Sequence, residues 1–229
     1  MDELAHHGYV IEQHWPRLRL AALRVAEAGD ANQLARMAEA ATQLRAVPAI
    51  THVSGDLLVS AAGVGKRPIQ QEIASAFPRD ELMPGDPMID QQWAITRTSV
   101  ISGWQIGRGA PSVTIALVDS GYDVIHEDLA PESLWQNPVE AAGEPGVDDD
   151  GNGFIDDRSG WDWIEQDGIT NDPFGHGNHT GGIIAATADN DIGVAGVGGA
   201  VRILPLRILD AYGGGQMSDL IAALAYALE

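Results

Sequence analysis

Two residues able to carry out proton transfer lie where elements of this chain are expected to end or begin. Asp119 directly follows the apolar run Val113–Val118, and His176 lies between two glycines ahead of an apolar stretch. A carboxylate can fix the tautomer of an imidazole, which then acts as a general base. The start of a helix also disfavours a protonated imidazole, which suits a base that is neutral at rest. Taken by itself, Asp119 fits a turn or cap at the end of a strand better than a catalytic role.

A second histidine leaves a metal site open as an alternative. His179 lies three residues after His176, so the two side chains could hold one metal ion with Asp119 or Asp172 as the third ligand. The carboxylates in this part of the sequence suit a hard cation better than a zinc-like one. A metal-dependent hydrolase is therefore a rival to acid–base chemistry at these residues.

The segment Glu144–Asp172 carries ten carboxylates against one basic residue, Arg158. Its glycines and tryptophans distinguish it from a disordered acidic tail. Gly153 falls where a calcium loop turns sharply, but Ser159 stands where a bidentate glutamate is usual, so Asp157 or Asp162 would have to supply that ligand. We expect a structural Ca²⁺ ion here, and an acidic surface turn is the alternative. The expected ligands follow the order of a calcium loop and are Asp148, Asp150, Asn152, Phe154 (through its carbonyl) and Asp156.

Short apolar runs separated by glycine-rich turns indicate the framework that must position these residues. Val113–Val118 and Val201–Leu209 are predicted to be buried strands, although Pro205 removes a ladder hydrogen bond from the second. Thr180–Ala188 and Met217–Leu228 are predicted to be helices. Strands that alternate with helices predict an α/β domain with a parallel sheet. Sites in such sheets gather at the carboxyl ends of the strands.

Residues 1–82 differ from the rest of the chain in their sequence pattern. They are interpreted as a separate, helix-rich N-terminal region ahead of a domain over residues 83–229. Proline and charge in residues 78–90 predict an extended linker between the two. The elements predicted for the N-terminal region are a helix through Leu18–Val25, a helix over Ala31–Ala46 and a weak hairpin over Ile50–Ala62.

The composition limits the function classes. The chain of 229 residues has 13 basic and 33 acidic residues, a net charge of −20, which argues against nucleic acid or an anionic membrane as a partner. It contains no cysteine, so disulfides, a thiol nucleophile and Cys-ligated metals are excluded. No run of about 18 apolar residues is present to span a membrane. The first residues show no ordinary secretion signal, and the sequence indicates no compartment.

A series of short motifs resembles the subtilisin-like serine proteases in order and spacing, over about residues 86–229. The resemblance implies a subtilisin-like parallel sheet flanked by helices, incomplete in this chain, and serine endopeptidase activity through an Asp-His-Ser triad. It assigns the triad aspartate to Asp119 and the triad histidine to His176 rather than His179. The motifs are Asp119-Ser120-Gly121, His126-Glu127-Asp128-Leu129, Gly160-Trp161-Asp162-Trp163, Gly175-His176-Gly177-Asn178-His179, Asp191–Val197 and Ile203–Gly215.

Two departures from the family pattern bear on the expected activity. The family usually has threonine at Asn178 and valine-alanine at Thr180-Gly181, behind the imidazole. Its nucleophile lies in a Gly-Thr-Ser-Met-Ala-like segment, after an asparagine that completes the oxyanion hole, and no such segment occurs in this chain. Loss of the nucleophile removes about six orders of magnitude in turnover, a value that comes from subtilisin itself. We therefore expect the chain alone to be inactive and to need a complementing C-terminal half that carries the serine and the asparagine.

The resemblance also implies how a protein or peptide substrate is held. Gly213, Gly214 and Gly215 align with the edge segment that pairs with an extended substrate, and Met217 would border the pocket for the fourth residue before the scissile bond. A flexible turn before a helix is the alternative. Residues 1–82 stand where the family keeps a propeptide. The alternative function is a non-catalytic pseudoprotease that binds calcium or a peptide.

Overall fold

The computed structural model describes residues 9–15, 20–25, 58–60, 83–104, 106–129 and 131–228. The chain divides into two compact units. One is Val59–Gly215, and the other combines Met1–Leu58 with Gln216–Glu229. The boundary near residue 82 that the sequence suggests stays a prediction.

The first described element is a hairpin, so the helix predicted through Leu18–Val25 is wrong. Strand β1 (Tyr9–Trp15) pairs antiparallel with strand β2 (Leu20–Val25), and an irregularity interrupts the register between Ile11 and Gln13. Short apolar segments satisfy helical and extended patterns alike, and a neighbouring strand rich in β-branched and aromatic residues decides between them. The helix predicted over Ala31–Ala46 lies outside the described residues.

A short strand, β3 (Leu58–Ser60), forms a two-stranded sheet with β7 (Gly214–Gln216). It falls within the segment Ile50–Ala62 that was predicted to be a weak hairpin. The rest of that segment lies outside the described residues. Its described strand therefore has a partner that is distant in sequence.

A three-stranded parallel sheet forms the centre of the Val59–Gly215 unit, as predicted. Its strands are β4 (Thr114–Asp119), β5 (Trp161–Asp162) and β6 (Arg202–Arg207), in the order β4-β6-β5. Both predicted apolar runs contain a strand, and Pro205 lies inside the central one opposite Leu117. Because β6 is buried over most of its length, its residues supply much of the core.

Five helices occur in the described part of the chain: α1 (Trp93–Arg97), α2 (Val100–Trp104), α3 (Pro138–Ala142), α4 (His176–Ala185) and α5 (Met217–Tyr226). Helix α4 packs against β4 and β6. It starts four residues before the predicted Thr180, so His176 is its first residue instead of preceding it. Helix α5 begins at the predicted Met217 and ends two residues before the predicted Leu228.

The segment predicted to be an extended linker is tied down where the structure describes it. Asp86 is 1% exposed and accepts hydrogen bonds from the amides of Asp189 and Asn190, while Ile89–Gln91 forms a single 3₁₀ turn. Ile89 joins a small apolar cluster with Ile95, Trp104 and Ala195. Proline and charge favoured an extended linker, but a buried carboxylate that caps a distant turn outweighs them.

Candidate active site

Asp119 is the last residue of β4, and the sheet fixes its main chain. Its carbonyl accepts hydrogen bonds from the amides of Ile208 and Leu209, which follow the neighbouring strand β6. Its side chain is 9% exposed, and Oδ1 accepts a hydrogen bond from the Ser120 amide at 2.7 Å. The carboxylate therefore stands at the carboxyl end of the sheet in one defined orientation.

His176 meets that carboxylate through one ring nitrogen. Its Nδ1 lies 2.8 Å from Asp119 Oδ1 and 2.9 Å from Asp119 Oδ2, and its side chain is 22% exposed. A carboxylate accepts only, so Nδ1 carries the proton in this contact and Nε2 is the nitrogen able to take another. The pair thus has the geometry of an acid that orients a base.

The hydroxyl of Ser120 joins the strand tip to the start of α4. It donates to Asp172 Oδ1 at 2.8 Å and accepts from the Gly177 amide at 3.0 Å. Asp172 also accepts from the amides of Phe174, Gly175 and Asn178, so its carboxylate caps the helix start. Since Gly175 lies at φ +88° and provides no side-chain cap, Asp172 takes over that task from three residues upstream of Gly175.

Two glycines let α4 approach the strand tip closely. A Cβ on Gly177 would collide with the Gly121 carbonyl, and a Cβ on Gly181 would collide with the ring of Tyr122. Tyr122 is fully buried in the core beside Leu117, and burial raises the pKa of its phenol. Because the two glycines have no side chains, the helix and the loop can approach closely, and this approach sets the distance between Asp119 and His176.

The alternative of a metal site at His176 and His179 requires a cluster of ligating side chains, which the described residues do not form there. His179 lines a cavity of about 350 Å³ with His126, Leu129 and Ile183, apart from the Asp119 contact of His176. Within the described ranges, the one set of at least three ligating side chains close enough to share an ion is Glu140, Asp148 and Asp150. Among the described residues, no set of three ligating side chains that includes His176 and His179 lies close enough to share an ion.

The acidic loop, Asp148–Asp156, brings two of the five expected calcium ligands together, and helix α3 adds one that sequence reasoning missed. Glu140 is fully buried, and its two oxygens accept from the amides of Asp149, Asp150 and Asp156. Ligating oxygens of Glu140, Asp148 and Asp150 lie within 4.8 Å of one another. The capped start of α3 at Asn137-Pro138 signalled a helix, but nothing local indicated that it would fold onto the loop.

The other expected ligands are placed around this set in different ways. Asn152 donates from Nδ2 to Asp150 and to Asp157, which is itself fully buried. The ring of Phe154 packs edge-on against Trp161 and Trp163, and its amide donates to Asn152. Asp156 instead forms an ion pair with Arg158 at 3.2 Å and accepts from the Gly146 amide.

Two of the three glycines of the predicted substrate edge lie in a strand, and the third lies in the turn before it. Gly213 lies at φ +76° in a turn, Gly214 and Gly215 belong to β7, and Met217 opens α5. A Cβ on Gly215 would collide with the Ile208 carbonyl, so this strand passes close to the chain that follows β6. The amides of Tyr212 and Gly214 donate to Asp210 and hold its pKa below the usual 3.8.

A buried ion pair completes the carboxyl end of the sheet. Arg207 ends β6 and binds Asp162, which ends β5 and is fully buried. Burial raises the pKa of Asp162, while amide bonds from Ile164 and Glu165 and the charge of Arg207 oppose that rise. Asp162 is therefore engaged by Arg207 and by its own turn, not by the acidic loop.

No helix in the part of the chain that the structure describes combines the length and the apolar character needed to cross a membrane.

Comparisons with known proteins point to one family. The sequence profile of the subtilase family matches residues 110–229. Subtilisin-like protease 1 of Plasmodium vivax is 37% identical over 118 residues, which cover 51% of this chain and 19% of that protein. Thermitase of Thermoactinomyces vulgaris is 28% identical over 147 residues, which cover 64% of this chain and 44% of that protein.

A solved protease structure from Pseudoalteromonas arctica aligns with a TM-score of 0.45 and 26% identity, covering 62% of this chain and 43% of that one. The chain spans about a fifth of the length of the Plasmodium relative. The profile match covers more than half of the chain and includes both members of the Asp119–His176 pair. The chain belongs to the subtilase family of serine proteases.

Proposed function

We propose that Asp119 and His176 are two members of an Asp-His-Ser triad that hydrolyses peptide bonds, with the serine supplied by a C-terminal half outside this chain. The observation that carries the proposal is the contact of His176 Nδ1 with both oxygens of Asp119, at 2.8 and 2.9 Å. Membership of the subtilase family supports it, because both residues lie within residues 110–229, which the family profile matches.

The proposed role of each His176 ring nitrogen follows from its position: Nδ1 contacts Asp119, which leaves Nε2 to act as the base. His176 Nε2 takes the proton of the serine hydroxyl as the oxygen attacks the peptide carbonyl, and Asp119 stabilises the resulting imidazolium. The imidazolium then returns that proton to the leaving amine, so that the peptide C–N bond breaks and an acyl-serine remains. A water molecule, deprotonated by the same nitrogen, hydrolyses the acyl-serine.

We further propose that Gly213, Gly214 and Gly215 hold an extended protein or peptide substrate and that Met217 borders one of its side-chain pockets. Strand β7 already forms a ladder with β3, so its main-chain groups have the geometry that strand addition requires. Residues 1–82, to which β3 belongs, are proposed to be a propeptide-like region.

A structural Ca²⁺ ion is proposed at the acidic loop, with oxygen ligands from Glu140, Asp148 and Asp150. The donor set fits a hard cation, because carboxylate oxygens are the ligands that Ca²⁺ prefers. Of these residues Glu140 is fully buried, and its oxygens accept hydrogen bonds from the main-chain amides of Asp149, Asp150 and Asp156. A divalent cation would balance charge that those amides cannot neutralise.

Labelling with a fluorophosphonate probe tests the triad. The chain alone should show no labelled serine, and adding a subtilase C-terminal half that carries the serine and the oxyanion asparagine should produce labelling. His176→Ala should abolish that labelling, while His179→Ala, a matched change on the same helix, should largely keep it. A labelled serine within this chain, or equal effects of the two substitutions, would refute the proposal. Peptide binding without labelling in the complemented protein would favour a non-catalytic peptide-binding module.

A further inference from the structure

Arg207 lies between two aspartates at the carboxyl end of the sheet. It ends the central strand β6, and its register partners are Asp119 on β4 and Asp162 on β5. Residues in register on neighbouring strands point to the same face of a sheet, and the strands are about 4.8 Å apart. The arginine therefore has an aspartate as its register partner on each neighbouring strand.

The two aspartates are used differently. The guanidinium donates from Nη1 to Asp162 Oδ2 and from Nε to the Leu209 carbonyl. Asp119 accepts from the Ser120 amide and contacts His176 Nδ1 instead. Arg207 is 7% exposed and Asp162 is fully buried, so water cannot replace either partner of the ion pair.

Stability alone does not account for this ion pair. A buried pair costs so much desolvation that apolar residues of similar volume are often as stable. If Asp162 were neutral, the buried guanidinium would still require a carboxylate, and the remaining one in register is Asp119. An Asp119 that binds arginine has fewer oxygens and less negative charge to offer an imidazole.

We propose that Asp162 is a positioning residue that holds the Arg207 guanidinium away from Asp119 and so leaves the Asp119 carboxylate to His176. The inference rests on the proposed role of the Asp119–His176 pair as the acid and base of a protease. Asp162 is itself anchored, because its Oδ1 accepts from the amides of Ile164 and Glu165. The charge of Arg207 also reaches Asp210, where it helps to lower the pKa.

The test is the proton resonance of His176 Nδ1–H in this chain, assigned by its absence in a His176→Gln variant. A proton shared with a carboxylate resonates far downfield, and we expect this signal in the unaltered chain. Asp162→Asn keeps the shape and the amide-accepting oxygen but removes the charge. We expect it to abolish the downfield signal, because the guanidinium then competes for Asp119. The double variant Asp162→Asn/Arg207→Met removes the competitor and should restore the signal.

A purely structural role predicts a different result. If folded Asp162→Asn keeps the signal, or if the folded methionine double variant fails to restore it, the proposal is wrong. Should Asp162→Asn not fold, the double variant Asp162→Asn/Arg207→Lys replaces it. This lysine double variant should lack the downfield signal, and the methionine double variant should show it. Equal spectra of the two double variants would overturn the proposal. The resonance reports the hydrogen bond itself, so failure of peptide-bond hydrolysis, which would overturn the proposed function, does not affect this measurement.

Discussion

Ser120 shows how a single small side chain holds the two halves of the candidate site together. Its hydroxyl bonds to Asp172 and to the Gly177 amide, and these contacts link the end of β4 to the start of α4. The residue is fully buried, so water cannot take over either bond. The structure therefore makes Ser120 a joint between two elements, although the sequence pattern presents it only as the neighbour of Asp119.

Replacing Ser120 by alanine is expected to lower the free energy of unfolding by about 1–3 kcal/mol, since the buried Gly177 amide loses its acceptor. Urea unfolding of the chain would measure this change. Ser112→Ala provides the control, because Ser112 is exposed and its replacement should change the free energy by less than about 0.5 kcal/mol. Equal effects of the two substitutions would contradict the role assigned to Ser120.

Residue types and spacing made Asp119 and His176 candidates because each stands at the boundary of a patterned element, and the series of motifs that resembles the subtilisin-like proteases assigned them to a triad. Glu140 could not be found in this way, since it becomes a candidate ligand only when α3 folds back onto a loop eight residues later. Asp156 matched the calcium-loop spacing, yet the structure places it against Arg158. Spacing fixes which residues are near in sequence, while side-chain direction depends on partners that spacing does not reveal.

At the scale of elements, helix α4 and strand β4 approach each other through glycine. Gly177 allows the first turn of the helix to lie against the Gly121 carbonyl, and the helix packs over β4 and β6. Gly182 lies on the same helix and has open space around it. The two positions therefore separate the effect of close packing from the effect of helix propensity.

Gly177→Ala is expected to lower the free energy of unfolding by about 1–3 kcal/mol, because the added methyl group forces the helix away from the strand tip. Gly182→Ala, the matched change, should raise the free energy by about 0.5–1 kcal/mol, since alanine is the better helix former. Denaturant unfolding of both variants measures the difference. If both variants are stabilised, the close contact does not limit the position of the helix.

The turn between β6 and β7 should respond to acid at an unusually low pH. Asp210 accepts from the amides of Tyr212 and Gly214, and these bonds hold its pKa below 3.8. A lowered folded-state pKa means that the stabilisation is present above the ordinary pKa and is lost as the pH falls through the lower one. The amide shifts of Tyr212 and Gly214 should therefore titrate with a midpoint below 3.8. Asp210→Asn should remove that titration, whereas a midpoint at or above 3.8 would contradict the expectation.

Elements with long apolar runs were predicted well, and short amphipathic ones were not. Val113–Val118 and Val201–Leu209 both contain strands, as their β-rich apolar residues predicted. Strand β6 is buried over most of its length, but β4 keeps Thr114 and Ala116 exposed, so the prediction of a buried strand is wrong for Val113–Val118. Leu20–Val25 became a strand only because Tyr9–Trp15 pairs with it. A partner of this kind is a tertiary fact, and local periodicity does not contain it.

At the scale of the whole molecule, a net charge of −20 means that like charges repel one another within the compact folded chain, which lowers its stability. The acidic loop gathers part of that charge around the buried Glu140, so a bound cation should stabilise the fold as well as the loop. A ligand that binds only the folded state at a concentration 100 times its dissociation constant contributes about 2.7 kcal/mol.

We therefore expect Ca²⁺ to raise the unfolding temperature of the chain, with excess Mg²⁺ giving a smaller rise because it favours octahedral sites that retain water. Glu140→Gln should remove most of the Ca²⁺-dependent rise. Asp156→Asn, a matched loss of one charge in the adjacent acidic loop, should keep it, because Asp156 lies against Arg158. Scanning calorimetry with and without each ion makes the comparison. If Ca²⁺ leaves the unfolding temperature of the unaltered chain unchanged, the proposed cation site is wrong.

Phe174 places one aromatic ring between the imidazole and the glycine edge. The ring stacks on His176 with centroids 6.5 Å apart, and a Cβ on Gly213 would come within 2.8 Å of its Cζ. A ligand that contacts the Phe174 ring from the side of Gly213 would displace the ring face on which the His176 imidazole stacks. The position of the glycine edge and the orientation of the imidazole are thereby coupled through one side chain.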